Sequence, residues 1–378
     1  MTTARLALAF LVLAAGCGDD AAPGAGDLGG MVQLDGGMDG GLDGGGNDAD
    51  AGRDLGPELD AGGPAALPVL YLGRHDAADP SAVRFSWPGS GFAFRFRGTG
   101  ASVRMRGGSF FTVVLDGEER AEALDVRGPQ GIYAIVQGLP RAEHTLELFR
   151  RTEASNGVTT VTAVSVEGEP LPAPDRPERQ LELIGDSWLT APGVDAPPGD
   201  CSGAVENHFR TWGALAARTL GAELSTVAVG GSAVLGDLAL APLYDRVLRG
   251  EAGSEGTIQP ADVAFVSLGA NDLAEGALPE GFVEGYAALL AQVRAQHPGA
   301  LIACVYPELE GPDTATIRTA TDAAIALRSA AGDTRVMGAD IEIPALIDLS
   351  CDEYHPGPMS YAAMAENAVA FLRDEMGW

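Results

Sequence analysis

The chain has 378 residues, 46% hydrophobic and 20% charged, which allows a sizeable core and, by length, two domains with tails. Its formal net charge is −29. A surface that acidic lacks the clustered cations that phosphate binding needs, so no nucleic-acid partner is expected. All 24 Lys-plus-Arg positions are arginine, which reads as genome composition and not as function.

The chain opens MTTARLALAFLVLAAGC. Arg5 precedes an apolar run from Leu6 to Ala15, too short to span a bilayer and shaped like a secretory signal. The run ends in small residues at Cys17, and so resembles the bacterial lipoprotein signal, in which the cysteine is acylated. Leu13 lies four residues before the cysteine, where three is commoner. Residues 1–17 are therefore expected to be a lipoprotein signal with Cys17 as the lipidation site. The chain would be exported and lipid-anchored at the cell envelope or surface. An ordinary signal peptide with an incidental cysteine, and plain secretion, is the other reading. Residues 18–63 follow with ten Asp, one Glu and one Arg amid glycine. They bury too little apolar surface to offset chain entropy, so 18–65 is expected to be a disordered tether. The Asp-Gly-Gly steps suggest calcium, but no EF-hand spacing is complete and no nine-residue calcium repeat is present.

Residues 66–172 alternate as strands. SGFAFRFRG sets Phe92, Phe94 and Phe96 against Ala and Arg, a half-buried strand. FFTVVLDGEE carries Asp116-Gly117, a hairpin signal. No helical stretch interrupts, and a β-sandwich is expected. LPAPDRPE, with three prolines, marks a boundary. From 178 to 378 apolar runs alternate with helical patterns. LELIG, LSTVAVG, ADVAFVSLG, ALIACVYP and TRVMGAD read as strands. NHFRTWGALAARTLG, LGDLALAPLYDRVLRG, PEGFVEGYAALLAQVRAQ, TATIRTATDAAIALRSAAG and YAAMAENAVAFLRDEM read as helices. In the third of these Phe282, Val283, Tyr286, Leu289, Leu290 and Val293 share a face. This is the α/β pattern of a parallel sheet covered on both faces, with ligands expected at the carboxyl ends of the strands.

Ser187 in GDSW follows the first of those strands, Gly230 and Gly231 the second, Asn271 and Asp272 the third. Acyl transfer needs a nucleophile, a base, a group that orients the base, and oxyanion donors. Near the C-terminus CDEYHPG places Asp352 three residues before His355, a spacing that can set a carboxylate beside one imidazole nitrogen. Asp186 and Asp272 read as structural partners of their turns. His75, His144, His208 and His297 read as ordinary residues. Trp188 either stacks on a sugar ring or packs beneath its loop. Cys201, Cys304 and Cys351 allow one disulfide and one free thiol, with the pairing open. No His/Cys cluster has metal spacing, and neither metal nor organic cofactor is expected.

These motifs, in this order, resemble the SGNH (GDSL) hydrolase superfamily. YLGRHD, FSWPGSGFAFRFRGTG, LDGE, HTLELFRRTEAS and CSGAVENHFRTWGALAARTLGAE extend the likeness to carbohydrate esterase family 2, from about residue 68 to the end. The resemblance implies a flavodoxin-like three-layer α/β/α SGNH domain with a parallel sheet, preceded by an N-terminal β-sandwich of jelly-roll type. It implies Ser187, His355 and Asp352 as the catalytic set, with Glu353 an alternative carboxylate. It assigns the oxyanion hole to Ser187 N–H, Gly231 N–H and the Asn271 side chain, with Gly230 the alternative glycine. The implied reaction is removal of O-acetyl groups from plant polysaccharides such as xylan or glucomannan, by a monomer. The alternatives are an SGNH lipase or thioesterase of other acyl specificity, or a non-catalytic glycan-binding surface lipoprotein. The main departure is GDSWLT where the family more often has Gly-Asp-Ser-Ile-Thr, which puts bulky Trp188 beside the nucleophile.

Overall fold

The computed structural model describes residues 67–196, 199–254, 256–273, 277–309 and 313–378. Cys17 and the 18–65 tether lie outside them. The strand-rich region comprises β1 (Leu70–Leu72), β2 (Val83–Phe85), β3 (Gly91–Arg106), β4 (Ser109–Leu115), β5 (Glu118–Glu119), β6 (Leu124–Val126), β7 (Gly131–Val136), β8 (Ala142–Arg150) and β9 (Thr159–Pro170). All pair antiparallel into one hydrogen-bonded network, ordered β2-β9-β3-β8-β4-β5, with β1 and β7 also on β3 and β6 on β4. The long β3 organises it. Its first half pairs with β8 and its second half with β7 and β9, and the register slips between Gly98 and Ala101. A strand that bends at such slips can serve two layers. Phe92, Phe94 and Phe96 are fully buried with Phe85, Phe111, Leu146 and Leu148, while Arg97 on the opposite face is exposed. Asp116 and Gly117 both take positive φ (53° and 86°), the conformation a two-residue hairpin demands.

The following region holds a five-stranded parallel sheet. Its strands are β10 (Arg179–Gly185), β11 (Ala222–Ala228), β12 (Val263–Ser267), β13 (Leu301–Val305) and β14 (Val336–Ala339), in the order β11-β10-β12-β13-β14. That is the 2-1-3-4-5 order of doubly wound sheets. The helices are α1 (Trp212–Leu220), α2 (Ala241–Tyr244), α3 (Phe282–Gln296), α4 (Asp313–Ala330) and α5 (Pro358–Met376). Alternate strand residues face opposite ways. Leu183, Phe265 and Ala303 pack with Trp212, Tyr361 and Leu372 of α1 and α5. Ile184, Val266 and Ile302 pack with Tyr286, Leu290 and Ile317 of α3 and α4. All five strands read from the sequence are present. The helix expected over LGDLALAPLYDRVLRG is not: only the single turn α2 forms. Gly236 takes φ +80°, Ala233 bridges to Ala239, and Pro242 permits a helix start but not its continuation through the segment. Buried Leu240, Tyr244, Val247 and Leu248 hold the stretch down instead.

A buried ionic cluster ties the two regions. Arg74, just after β1, donates to Glu182 Oε1 of β10 at 2.9 Å, to the carbonyls of Tyr244 and Arg246, and lies over the Tyr244 ring. Glu182 also accepts from Tyr244 Oη (2.7 Å) and pairs with His297 Nε2 (2.8 Å). Burial alone would raise the Glu182 pKa, but Arg74, His297 and Tyr244 outweigh it and hold the carboxyl down at about 2. His297 is thus spent on structure. His208 is too: its Nδ1 meets Leu189 O at 2.7 Å and its Nε2 lies 3.2 Å from Thr226 Oγ1.

Candidate active site

Every motif residue outside the C-terminal loop follows a strand end on one rim of the parallel sheet. β10 ends at Gly185, and Ser187 opens a 3-10 turn over Ser187–Leu189. Asp186 caps that turn, Oδ1 accepting from Trp188 N at 3.1 Å, and its Oδ2 accepts from Asn271 Nδ2 at 3.1 Å. Burial raises the Asp186 pKa to about 6; the Trp188 N–H and the charge of His355 pull the other way. Asp186 therefore does more than cap: it aims the Asn271 amide.

Asn271 lies in a 3-10 turn (Ala270–Asp272) beyond β12. Gly269 opens that turn at φ +118°, and a β-carbon there would meet Ile317 Cδ1 at 2.6 Å, so glycine is required. The amide also donates to Ser232 O at 2.9 Å. Asp272 accepts from Val234 N (2.8 Å) and Leu235 N (3.0 Å), fixing the loop after β11 to the loop after β12.

The glycines divide their work. Gly230 N–H donates to Glu153 Oε2 at 2.7 Å, and a β-carbon on Gly230 would lie 4.0 Å from Ser187 Cβ. Gly231 turns the chain at φ +76°. Among the described residues, no hydrogen bond engages the backbone N–H of Ser187 or of Gly231.

His355 and Asp352 lie in the loop between β14 and α5. Asp352 Oδ1 accepts from the N–H of Tyr354 and of His355 (both 2.9 Å), and its two oxygens lie 2.9 and 2.8 Å from His355 Nδ1. With Nδ1 protonated toward the carboxylate, Nε2 is left as the basic nitrogen. The hydrogen bond from His355 lowers the Asp352 pKa to about 2 against the opposing effect of burial. Glu353 is exposed and makes no comparable pairing. The loop is stapled by a disulfide between Cys201 and Cys351, leaving Cys304 buried and free. Gly199 N–H to Cys351 O (2.9 Å) and Ser350 Oγ to Pro192 O (2.9 Å) reinforce the staple. Among the described residues Cys201, Cys351 and Asp352 form the one cluster of metal-type donors, and its two sulfurs are bonded to each other.

The Ser187 hydroxyl makes no hydrogen bond to His355 in this arrangement. Trp188 is half-buried against the apolar cluster beneath α1 and α5. Two carboxyls near the rim carried no signal as motifs. Glu342, buried, accepts from Glu308 N (2.8 Å) and Ser267 Oγ (3.3 Å), and burial raises its pKa to about 8. Glu153 belongs to the strand-rich region. Only its place in HTLELFRRTEAS, within the family-like stretch, pointed toward it.

Comparison with known proteins follows the same division. Residues 71–174 match the carbohydrate esterase 2 N-terminal family, and residues 183–363 match the GDSL-like lipase/acylhydrolase family. The chain is 29% identical over 327 residues to the cellulase/esterase CelE of Acetivibrio thermocellus, an alignment covering 82% of this chain and 40% of that protein. It thus spans about two fifths of CelE's length, 40% being aligned. It is 24% identical over 336 residues to the acetylxylan esterase / glucomannan deacetylase of Cellvibrio japonicus, covering 82% of this chain and 89% of that protein. A family two carbohydrate esterase from Clostridium thermocellum, solved in complex with cellohexaose, superposes with a TM-score of 0.76 at 28% identity, covering 82% of this chain and 99% of that one. The chain is therefore similar, region by region, first to the carbohydrate esterase 2 N-terminal family and then to the GDSL-like lipase/acylhydrolase family.

Proposed function

We propose that this protein is a serine esterase that removes O-acetyl groups from plant cell-wall polysaccharides, xylan or glucomannan, through an acetyl-Ser187 intermediate. The observation that carries the reading is the pairing of Asp352 with His355 Nδ1, which leaves Nε2 as the nitrogen free to act as base. In the reaction His355 takes the Ser187 proton as Oγ attacks the acetyl carbonyl. Negative charge on the carbonyl oxygen is received by Ser187 N–H, Gly231 N–H and the Asn271 amide. The uncommitted N–H groups of Ser187 and Gly231 suit that task, and favour Gly231 over Gly230. Asn271 would exchange its bond to Ser232 O for the oxyanion while Asp186 keeps it aimed. His355 then protonates the departing sugar hydroxyl, and water repeats the sequence on the acetyl-enzyme. The missing Ser187–His355 bond is expected to form when substrate settles, as catalytic hydrogen bonds often tighten only in the complex. Trp188, packed beside the nucleophile, would bound the acyl pocket and favour acetate over longer chains.

The domain limits 66–172 and 178–378 go with this reading, as does export on a lipid-modified Cys17 at the end of the apolar run. No helix among the described residues is long and apolar enough to cross a membrane, so anchoring would rest on that lipid. Acetate release from acetylated xylan, acetylated glucomannan and 4-nitrophenyl acetate tests the function. Wild type should release acetate and Ser187→Ala should not. Rates on 4-nitrophenyl esters should fall steeply beyond acetate. Undiminished release by the variant, or a preference for long acyl chains, would overturn it.

A further inference from the structure

The oxyanion turn of the hydrolase domain is held from outside that domain. Gly230, the residue before the proposed donor Gly231, gives its N–H to Glu153 Oε2 at 2.7 Å, and this glycine borders Ser187. Glu153 stands at the N-terminal edge of the short 3-10 turn Ala154–Asn156, just after β8. It is fixed on several sides. Its carbonyl accepts from Arg150 Nη2 at 3.0 Å, and Arg150 is fully buried, its Nε on Thr152 O and its Nη1 on Thr159 Oγ1. Its N–H donates to Glu206 Oε1 at 2.6 Å, and Glu206 is a buried residue of the hydrolase domain. Its other carboxylate oxygen accepts from Ser155 Oγ. Such a carboxylate is pre-ordered before any substrate arrives.

We propose that Glu153 is a positioning residue for the esterase: the β-strand domain, through this side chain, sets the backbone of Gly230 so that the next N–H, on Gly231, meets the oxyanion. The inference rests on the esterase reading above. It gives the N-terminal domain a part in the chemistry that needs no sugar binding of its own. The physical ground is geometric. Glycine pairs are the least restrained backbone, and an oxyanion donor that wanders loses most of its value. The carboxylate's charge does not serve this task, since a negative group near a developing oxyanion opposes it. The hydrogen bond it accepts is what matters, so a neutral acceptor of equal reach should do as well.

Two variants separate these ideas. Glu153→Gln keeps an acceptor at the same reach; Glu153→Met keeps the length and removes the acceptor. With 4-nitrophenyl acetate, Glu153→Met should lose about 10- to 100-fold in kcat, less than deletion of a donor outright, with KM changed by less than about threefold. Glu153→Gln should stay within about threefold of wild type in kcat. Thermal melting of each variant is measured alongside. If Glu153→Met fails to fold, Glu153→Asp, which shortens the reach, takes its place with the same expected kcat loss. Wild-type turnover with Met and Asp variants equally active would overturn the role. So would a Gln variant as slow as Met, which would show that charge is required. Absence of turnover by wild type itself, with Ser187→Ala as the blank, would instead sink the esterase reading.

Discussion

Asp352 joins His355 by both carboxylate oxygens, and that contact makes a prediction about a single atom pair. Asp352→Asn would present an amide to Nδ1, favour the wrong tautomer and leave Nε2 protonated, lowering kcat by about 10²- to 10⁴-fold with KM little changed. Steady-state kinetics on 4-nitrophenyl acetate check it. Asn271→Ala removes a proposed oxyanion donor and should cost about 10²- to 10³-fold in kcat. Glu342 makes a different kind of prediction. Burial raises its folded-state pKa to about 8, above its ordinary 4.5, so the folded protein holds the proton more tightly. Stability from this group is full below the unfolded pKa and falls as pH rises toward 8. Melting temperature of wild type should decline between about pH 5 and 8, and Glu342→Gln should flatten that decline. Ser187, Asn271, Asp352 and His355 were legible as candidates because each sits in a short motif after a strand or in a tight Asx-type loop. Glu153 and Glu342 were not, because what brings them to the rim is contact between segments far apart in the chain.

At the scale of elements, the loop that carries Asp352 and His355 depends on the Cys201–Cys351 disulfide, which closes a separation of 150 residues. Cys201→Ser with Cys351→Ser should lower stability by about 2–4 kcal/mol. It should also lower kcat, because Cys351 adjoins Asp352. Denaturant unfolding and kinetics of the double variant check both parts; unchanged kcat would show that the loop's hydrogen bonds, among them Ser350 Oγ to Pro192 O and Asp348 to the N–H groups of Met359 and Ser360, position it without the staple. The sequence left the pairing open, since three cysteines at 201, 304 and 351 admit three pairs. The fold decides it by burying Cys304 in β13. Strands were read reliably because buried parallel strands are continuous apolar runs. The failed helix over residues 235–250 shows the limit. Leu240, Leu243, Tyr244, Val247 and Leu248 follow helical spacing, yet Gly236 and the bridge from Ala233 to Ala239 bend the backbone away, and burial of Leu240 and Leu248 satisfies the pattern without a helix.

Across the whole molecule, two domains meet around shared buried charges. Arg74 reaches Glu182, and Glu153 meets both Glu206 and Gly230. Removing one partner strands the other in a buried place, so Arg74→Ala should destabilise the whole by about 3–5 kcal/mol, read by chemical denaturation. The proposed reaction requires a hydroxyl, an imidazole and an amide from separate thirds of the hydrolase domain to meet. The most direct test of that gathering is covalent. Wild-type protein, Ser187→Ala and His355→Ala are treated with diethyl 4-nitrophenyl phosphate, and the modified peptide is mapped by mass spectrometry. The account predicts one phosphoryl label, on Ser187 of the wild type, with loss of esterase activity in proportion to labelling and much slower labelling in His355→Ala. Full inhibition with the label on another residue, or labelling of Ser187 at the wild-type rate without His355, would contradict it.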